Sequence, residues 1–84
     1  MKAFVDSGAQ ASYISARTVF RAGLKPRRKK KSYTLFVANG QPMPGETEIT
    51  HEVTGVTLDI HGHQEKLDLD VFGLATHDII LGLP

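Results

Sequence analysis

Apolar and polar residues alternate with a period of two through most of this chain, the mark of half-buried β-strands. Tyr33, Leu35 and Val37 alternate with Thr34, Phe36 and Ala38, and Thr47, Ile49, His51 and Val53 share one face of Glu46 to Thr54. Val56, Leu58 and Ile60 predict a further strand, and Leu67, Leu69 and Val71 another that ends near Gly73. Shorter β-prone stretches run from Lys2 to Val5 and from Gln10 to Ser15. Ile79-Ile80-Leu81-Gly82 breaks the alternation as a continuous apolar run, the pattern of a buried strand. A helical pattern is read once, through Ala16, Arg17, Val19, Phe20 and Ala22, with Ser15 as its N-cap and Gly23 as its end.

Turn signals punctuate this pattern. Asn39-Gly40 predicts a tight hairpin because both residues tolerate positive φ. Pro42 and Pro44 make the arm from Gln41 to Gly45 an edge or an irregular segment. His61-Gly62-His63 reads as a turn, and Pro26 with the charged residues 27–31 reads as an exposed connection. The expectation is an all-β, meandering domain with at most one short helix.

Composition narrows the function classes. The chain has 84 residues and no cysteine, so disulfides, thiolate zinc sites and cysteine nucleophiles are excluded. A domain this small usually needs a staple or a partner chain. No apolar run reaches the roughly 18–20 residues of a membrane span, and the start lacks the apolar stretch of a secretory signal. An intracellular, cytoplasmic setting with no membrane partner is expected. The net charge of +1 hides an asymmetry: six of ten basic residues lie between Lys25 and Lys31, leaving four basic and nine acidic groups elsewhere, or −5.

Chemistry concentrates in Ala3-Phe4-Val5-Asp6-Ser7-Gly8-Ala9. A strand delivers a carboxylate to the mouth of a turn. There Gly8 would let a backbone N–H approach it, and Ser7 would bond back to the main chain. An aspartic peptidase needs two such carboxylates, sharing a proton and activating water. Alone, the triplet is a weak signal, since an apolar residue followed by Asp-Ser-Gly is usually just a strand running into a turn. A second motif, Asp78-Ile79-Ile80-Leu81-Gly82, stands near the other end, with the glycine-bearing hairpin between them. This order resembles the retropepsin family, the aspartic proteases of retroviruses and gypsy-type LTR retrotransposons. The phrases FVDSGAQAS (residues 4–12), VANG (37–40) and HDIILGLP (77–84) look most like the retrotransposon branch, in which the protease is part of a Gag-Pol polyprotein.

The resemblance implies a closed, all-β acid-protease barrel with a flap. It implies Asp6 as the catalytic residue, Ser7 as the residue that locks two active-site loops across a dimer, Gly8 as an amide donor, and Ala9 as cleft lining. Val37, Ala38, Asn39 and Gly40 would form the flap over bound peptide, stiffened by Pro42 and Pro44. Ile80, Leu81 and Gly82 would form the strand behind the catalytic loop, with Ile80 reaching a substrate pocket. Only Asp6 precedes a Ser-Gly pair, whereas Asp59, Asp68, Asp70 and Asp78 are followed by Ile, Leu, Val and Ile. The dyad therefore calls for a twofold homodimer; the resemblance implies a polyprotein substrate, and no cofactor or metal is expected. An inactive or domesticated domain that dimerises or binds without cleaving is the alternative. Five residues precede Asp6 and two follow Gly82, so residues 1–84 are expected to be one protease domain cut short at both ends.

Two other features invite chemistry. The run from Lys25 to Lys31 would attract phosphates, giving a weak nucleic-acid contact, or would be a nuclear-import signal, but such a run is more often a solvated loop. His61 and His63 would need a third ligand to hold zinc, and the glycine between them favours a turn. Nucleophile-elbow, phosphate-loop and dinucleotide patterns are absent.

Overall fold

The computed structural model describes residues 3–6, 11–37, 45–60, 62–73 and 78–82. In chain order the elements are β1 (Ala3–Asp6), β2 (Tyr13–Ser15), α1 (Ala16–Arg21), β3 (Arg27–Val37), β4 (Gly45–Ile60), β5 (His63–Phe72) and β6 (Ile79–Gly82). The strands form one six-stranded sheet in the order β1-β6-β2-β5-β4-β3. The all-β expectation holds. Closure into a barrel does not: among the described residues β1 and β3 are edges with a single neighbour each.

The central strands are apolar because both of their faces are covered. On β2, Tyr13 and Ile14 are both buried yet enter different clusters. Ile14 packs with Val19, Val53, Leu69, Ile79 and Leu81. Tyr13 packs with Ile49, Phe72 and Ile80, meeting the Phe72 ring edge-on at 6.3 Å between centroids. On β6, Ile79 and Leu81 face one cluster and Ile80 the other. That division accounts for the unbroken Ile-Ile-Leu run.

Helix α1 follows its local signals. The Ser15 hydroxyl accepts from the Thr18 N–H at 3.1 Å, which caps the first turn. At the other end Gly23 adopts φ 67°. The Gly23 N–H donates to the Phe20 carbonyl and the Leu24 N–H to the Val19 carbonyl, a complete Schellman pair. Leu24 then packs on the cluster that holds Val19, while Phe20 is 87% exposed.

Elsewhere the boundaries move. Of the stretch expected from Gln10 to Ser15, the described residues pair over Tyr13–Ser15, and Gln10 lies outside them. The two strands expected at 46–54 and 56–60 are one sixteen-residue strand, β4. It bends where the register with β5 slips between Val53 and Val56. Gly55 takes φ 65° at that point, and its N–H donates to Asp68 Oδ1 at 3.0 Å. At the end of the β4–β5 hairpin Ile60 stands opposite His63. Gly62 has φ 79° and donates its N–H to Asp59 Oδ1 at 2.9 Å, so the turn expected there is present at Gly62; His61 lies outside the described residues.

The largest correction concerns residues 27–31, which are strand and not an exposed connection. Arg27 pairs opposite Glu52 and Arg28 opposite His51 on β4. A charge run is compatible with an edge strand, where side chains keep access to water and lysines block further pairing. Here β4 and β5 also supply carboxylates to meet it.

Candidate active site

Strand β1 runs parallel to β6, with Ala3 opposite Ile79, Phe4 opposite Ile80, Val5 opposite Leu81 and Asp6 opposite Gly82. The two motifs at opposite ends of the sequence are thus hydrogen-bonded neighbours, and Asp6 ends its strand level with Gly82. On the other side of β6 lies β2, antiparallel, with Tyr13 opposite Ile80 and Ile14 opposite Ile79. Consecutive strands β1 and β2 therefore flank β6. Asp6, Ile80, Leu81 and Gly82 are brought together by this arrangement. Ser7, Gly8 and Ala9 lie outside the described residues, as do Ala38, Asn39 and Gly40. Val37 ends β3 at the opposite edge of the sheet and pairs with Gly45. Ile80 is 2% exposed and belongs to the Tyr13 cluster of this chain.

Sequence reading overlooked Ser12. Its hydroxyl accepts from the Gly82 N–H at 3.1 Å, and its carbonyl accepts from the Asp70 N–H at 3.0 Å. Ser12 thereby joins the end of β6, level with Asp6, to β5. A hydroxyl six positions after Asp6 was visible, but its partner seventy positions later was not.

A second polar chain fixes the start of β6. The Ser15 N–H donates to the Asp78 carbonyl at 2.8 Å. Thr18 Oγ1 donates to Asp78 Oδ1 at 3.0 Å and lies 2.7 Å from Ser15 Oγ. Thr18 has one hydroxyl proton, so Ser15 donates to it. The helix cap and the entry to β6 thus share one network.

Asp70 is buried on β5 and is held by residues of β3. Lys29 Nζ lies 2.8 Å from Asp70 Oδ1 and 3.7 Å from Glu52, whose carboxylate also takes Arg27 at 3.3 Å. The Tyr33 hydroxyl donates to Asp70 Oδ2, with the Tyr13 hydroxyl 3.3 Å away. Lys29 Nζ sits 5.7 Å from the centre of the Tyr33 ring. Its hydrogen bond to Asp70 holds the Lys29 ammonium above the usual lysine range against the effect of desolvation. Burial first, and then the bond to Asp70, push the Tyr33 phenol well above its ordinary value.

Four of the five aspartates therefore have assigned work in the fold: Asp59 and Asp68 on glycine amides, Asp70 on Lys29 and Tyr33, and Asp78 on Thr18. Among the described residues no three histidines or carboxylates gather as a metal site would require.

Residues 2–84 match the family model described as the PEG10/RTL1 protease domain. The match takes in both Asp6-Ser7-Gly8 and Ile80-Leu81-Gly82, and of these residues β1 and β6 set Asp6 opposite Gly82. The chain therefore belongs to the PEG10/RTL1 protease domain family, a retropepsin-like group of aspartic protease domains.

Proposed function

We propose that this chain is one half of an aspartic endopeptidase. Two copies meet about a twofold axis, and each contributes Asp6. The two carboxylates share one proton, titrate as a pair, and activate the water that attacks the scissile amide. Ser7 locks the paired loops, Gly8 donates an amide to the carboxylate, and Ala9 lines the cleft. Val37, Ala38, Asn39 and Gly40 cover the bound peptide, and Ile80, Leu81 and Gly82 support the catalytic loop from behind. The substrate class is a retroelement polyprotein of the gypsy Gag-Pol kind, and no cofactor is used.

The observation that carries this reading is the register of Asp6 with Gly82, which joins the two family motifs in one structural unit. The occupation of Asp59, Asp68, Asp70 and Asp78 within the fold supports a second chain as the source of the second carboxylate.

The test is cleavage of a polyprotein-derived peptide at mildly acidic pH, with and without a statine-type transition-state analogue. Wild type is expected to cut and to be inhibited. Asp6→Asn is expected to lose about a thousandfold or more of the rate. Undiminished cleavage by Asp6→Asn overturns the mechanism. A protein that dimerises but neither cuts nor binds the analogue is a binding module instead.

A further inference from the structure

The basic run is sorted by the fold into two sets. Arg27 and Lys29 are neutralised at Glu52 and Asp70. Lys25, Arg28, Lys30 and Lys31 are exposed and have no ion-pair partner among the described residues. Six basic groups less two neutralised leave four free positive charges in a seven-residue stretch.

The backbone explains the sorting. Arg28 stands opposite His51 and Tyr33 opposite Ile49, so residues 29–32 of β3 face Thr50 alone on β4. The extra length arches out of the ladder on the free edge of the sheet. Lys29 is pinned at Asp70 within this arch, with a side chain only 21% exposed, while its neighbours Arg28, Lys30 and Lys31 are left exposed to water.

We infer that this cationic edge is a docking surface for the phosphate backbone of a nucleic acid. Four free charges crowded within seven residues, along the unpaired side of β3 and the segment leading into it, suit a linear polymer of repeating negative charge. An anionic membrane surface would gain about 1 kcal/mol per basic residue from the same charges, but Lys25 to Lys31 itself adds no large apolar side chain to insert. Recognition here is sequence-independent, since no base-reading group is called for. It is separate from peptide cleavage and does not depend on Asp6.

Fluorescence anisotropy of a labelled single-stranded RNA of mixed sequence tests this, with potassium chloride raised from 50 to 200 mM. Four phosphate contacts predict a slope of about −2.8 in log K against log salt, or roughly a 50-fold loss of affinity over that range. Arg28→Glu with Lys30→Glu and Lys31→Glu is expected to abolish binding while circular dichroism and thermal unfolding stay unchanged. The milder pair Lys30→Gln and Lys31→Gln should flatten the slope by about 1.4. The inference is overturned by absent binding at 50 mM salt, by a slope near zero, or by RNA affinity that the triple reversal leaves intact. It is equally overturned if phosphatidylserine vesicles bind through these residues and RNA does not.

Discussion

At the residue scale the informative group is Asp70. Its place between Leu69 and Val71 reads as the water-facing position of an alternating strand, yet it is 8% exposed. What makes burial tolerable is Lys29, forty-one positions away, together with Tyr33. Pairings at that separation leave no local trace, which is why this network was illegible while the Ser15 cap was plain. Removing one partner of a buried polar group costs more than the pair itself contributes. Asp70→Ala is expected to lower unfolding free energy by about 1–3 kcal/mol in urea titrations. Proton linkage gives a further expectation. Lys29 and Tyr33 both hold their protons more tightly folded than unfolded. The stability they contribute is fully present below the unfolded values of 10.5 and 10.0 and is lost as pH rises through the higher folded values. Unfolding free energy should therefore fall on the alkaline side of pH 10, and Tyr33→Phe should remove the phenol's share of that fall. An alkaline limb identical in Tyr33→Phe would contradict the role given to this hydroxyl.

At the element scale the helix and the first basic strand make opposite lessons. Helix α1 is announced by residues that act locally: Ser15 begins it and Gly23 ends it. Ser15→Ala should cost about 1–2 kcal/mol, because the hydroxyl also donates to Thr18. Gly23→Ala should cost about 1–2 kcal/mol from φ alone, since a β-carbon there would meet nothing within 4 Å. Thermal unfolding of the two variants checks both values. A null effect at Gly23 would contradict the Schellman ending. Strand β3 carried no such announcement. Six cations with one proline look like a solvated connection until the carboxylates of Glu52 and Asp70 are placed beside them. The sixteen-residue β4 was divided in the sequence for a related reason. Gly55 reads as a stop, but a bulge absorbs it and the strand continues.

At the scale of the whole molecule, the parallel pairing of β1 with β6 unites the two ends of the chain. Two apolar clusters on opposite faces of the sheet hold that pairing, through Ile79 and Leu81 on one side and Ile80 on the other. The motif order was legible, and so was the all-β class. The open form of the described sheet was not, because alternation fixes which face of a strand is buried and leaves unsaid which edges find partners. Every aspartate other than Asp6 is engaged in holding the fold. If the proposed function holds, stability and activity both depend on protomer concentration, and the apparent Tm should rise on concentrating the protein. The most direct measurement mixes wild type with Asp6→Asn, unfolds and refolds them together, and follows peptide cleavage against the wild-type fraction. A dyad built from two Asp6 residues predicts a quadratic fall, so an equal mixture retains about a quarter of the activity. A linear fall to one half would contradict the shared dyad, and undiminished cleavage would contradict any catalytic part for Asp6.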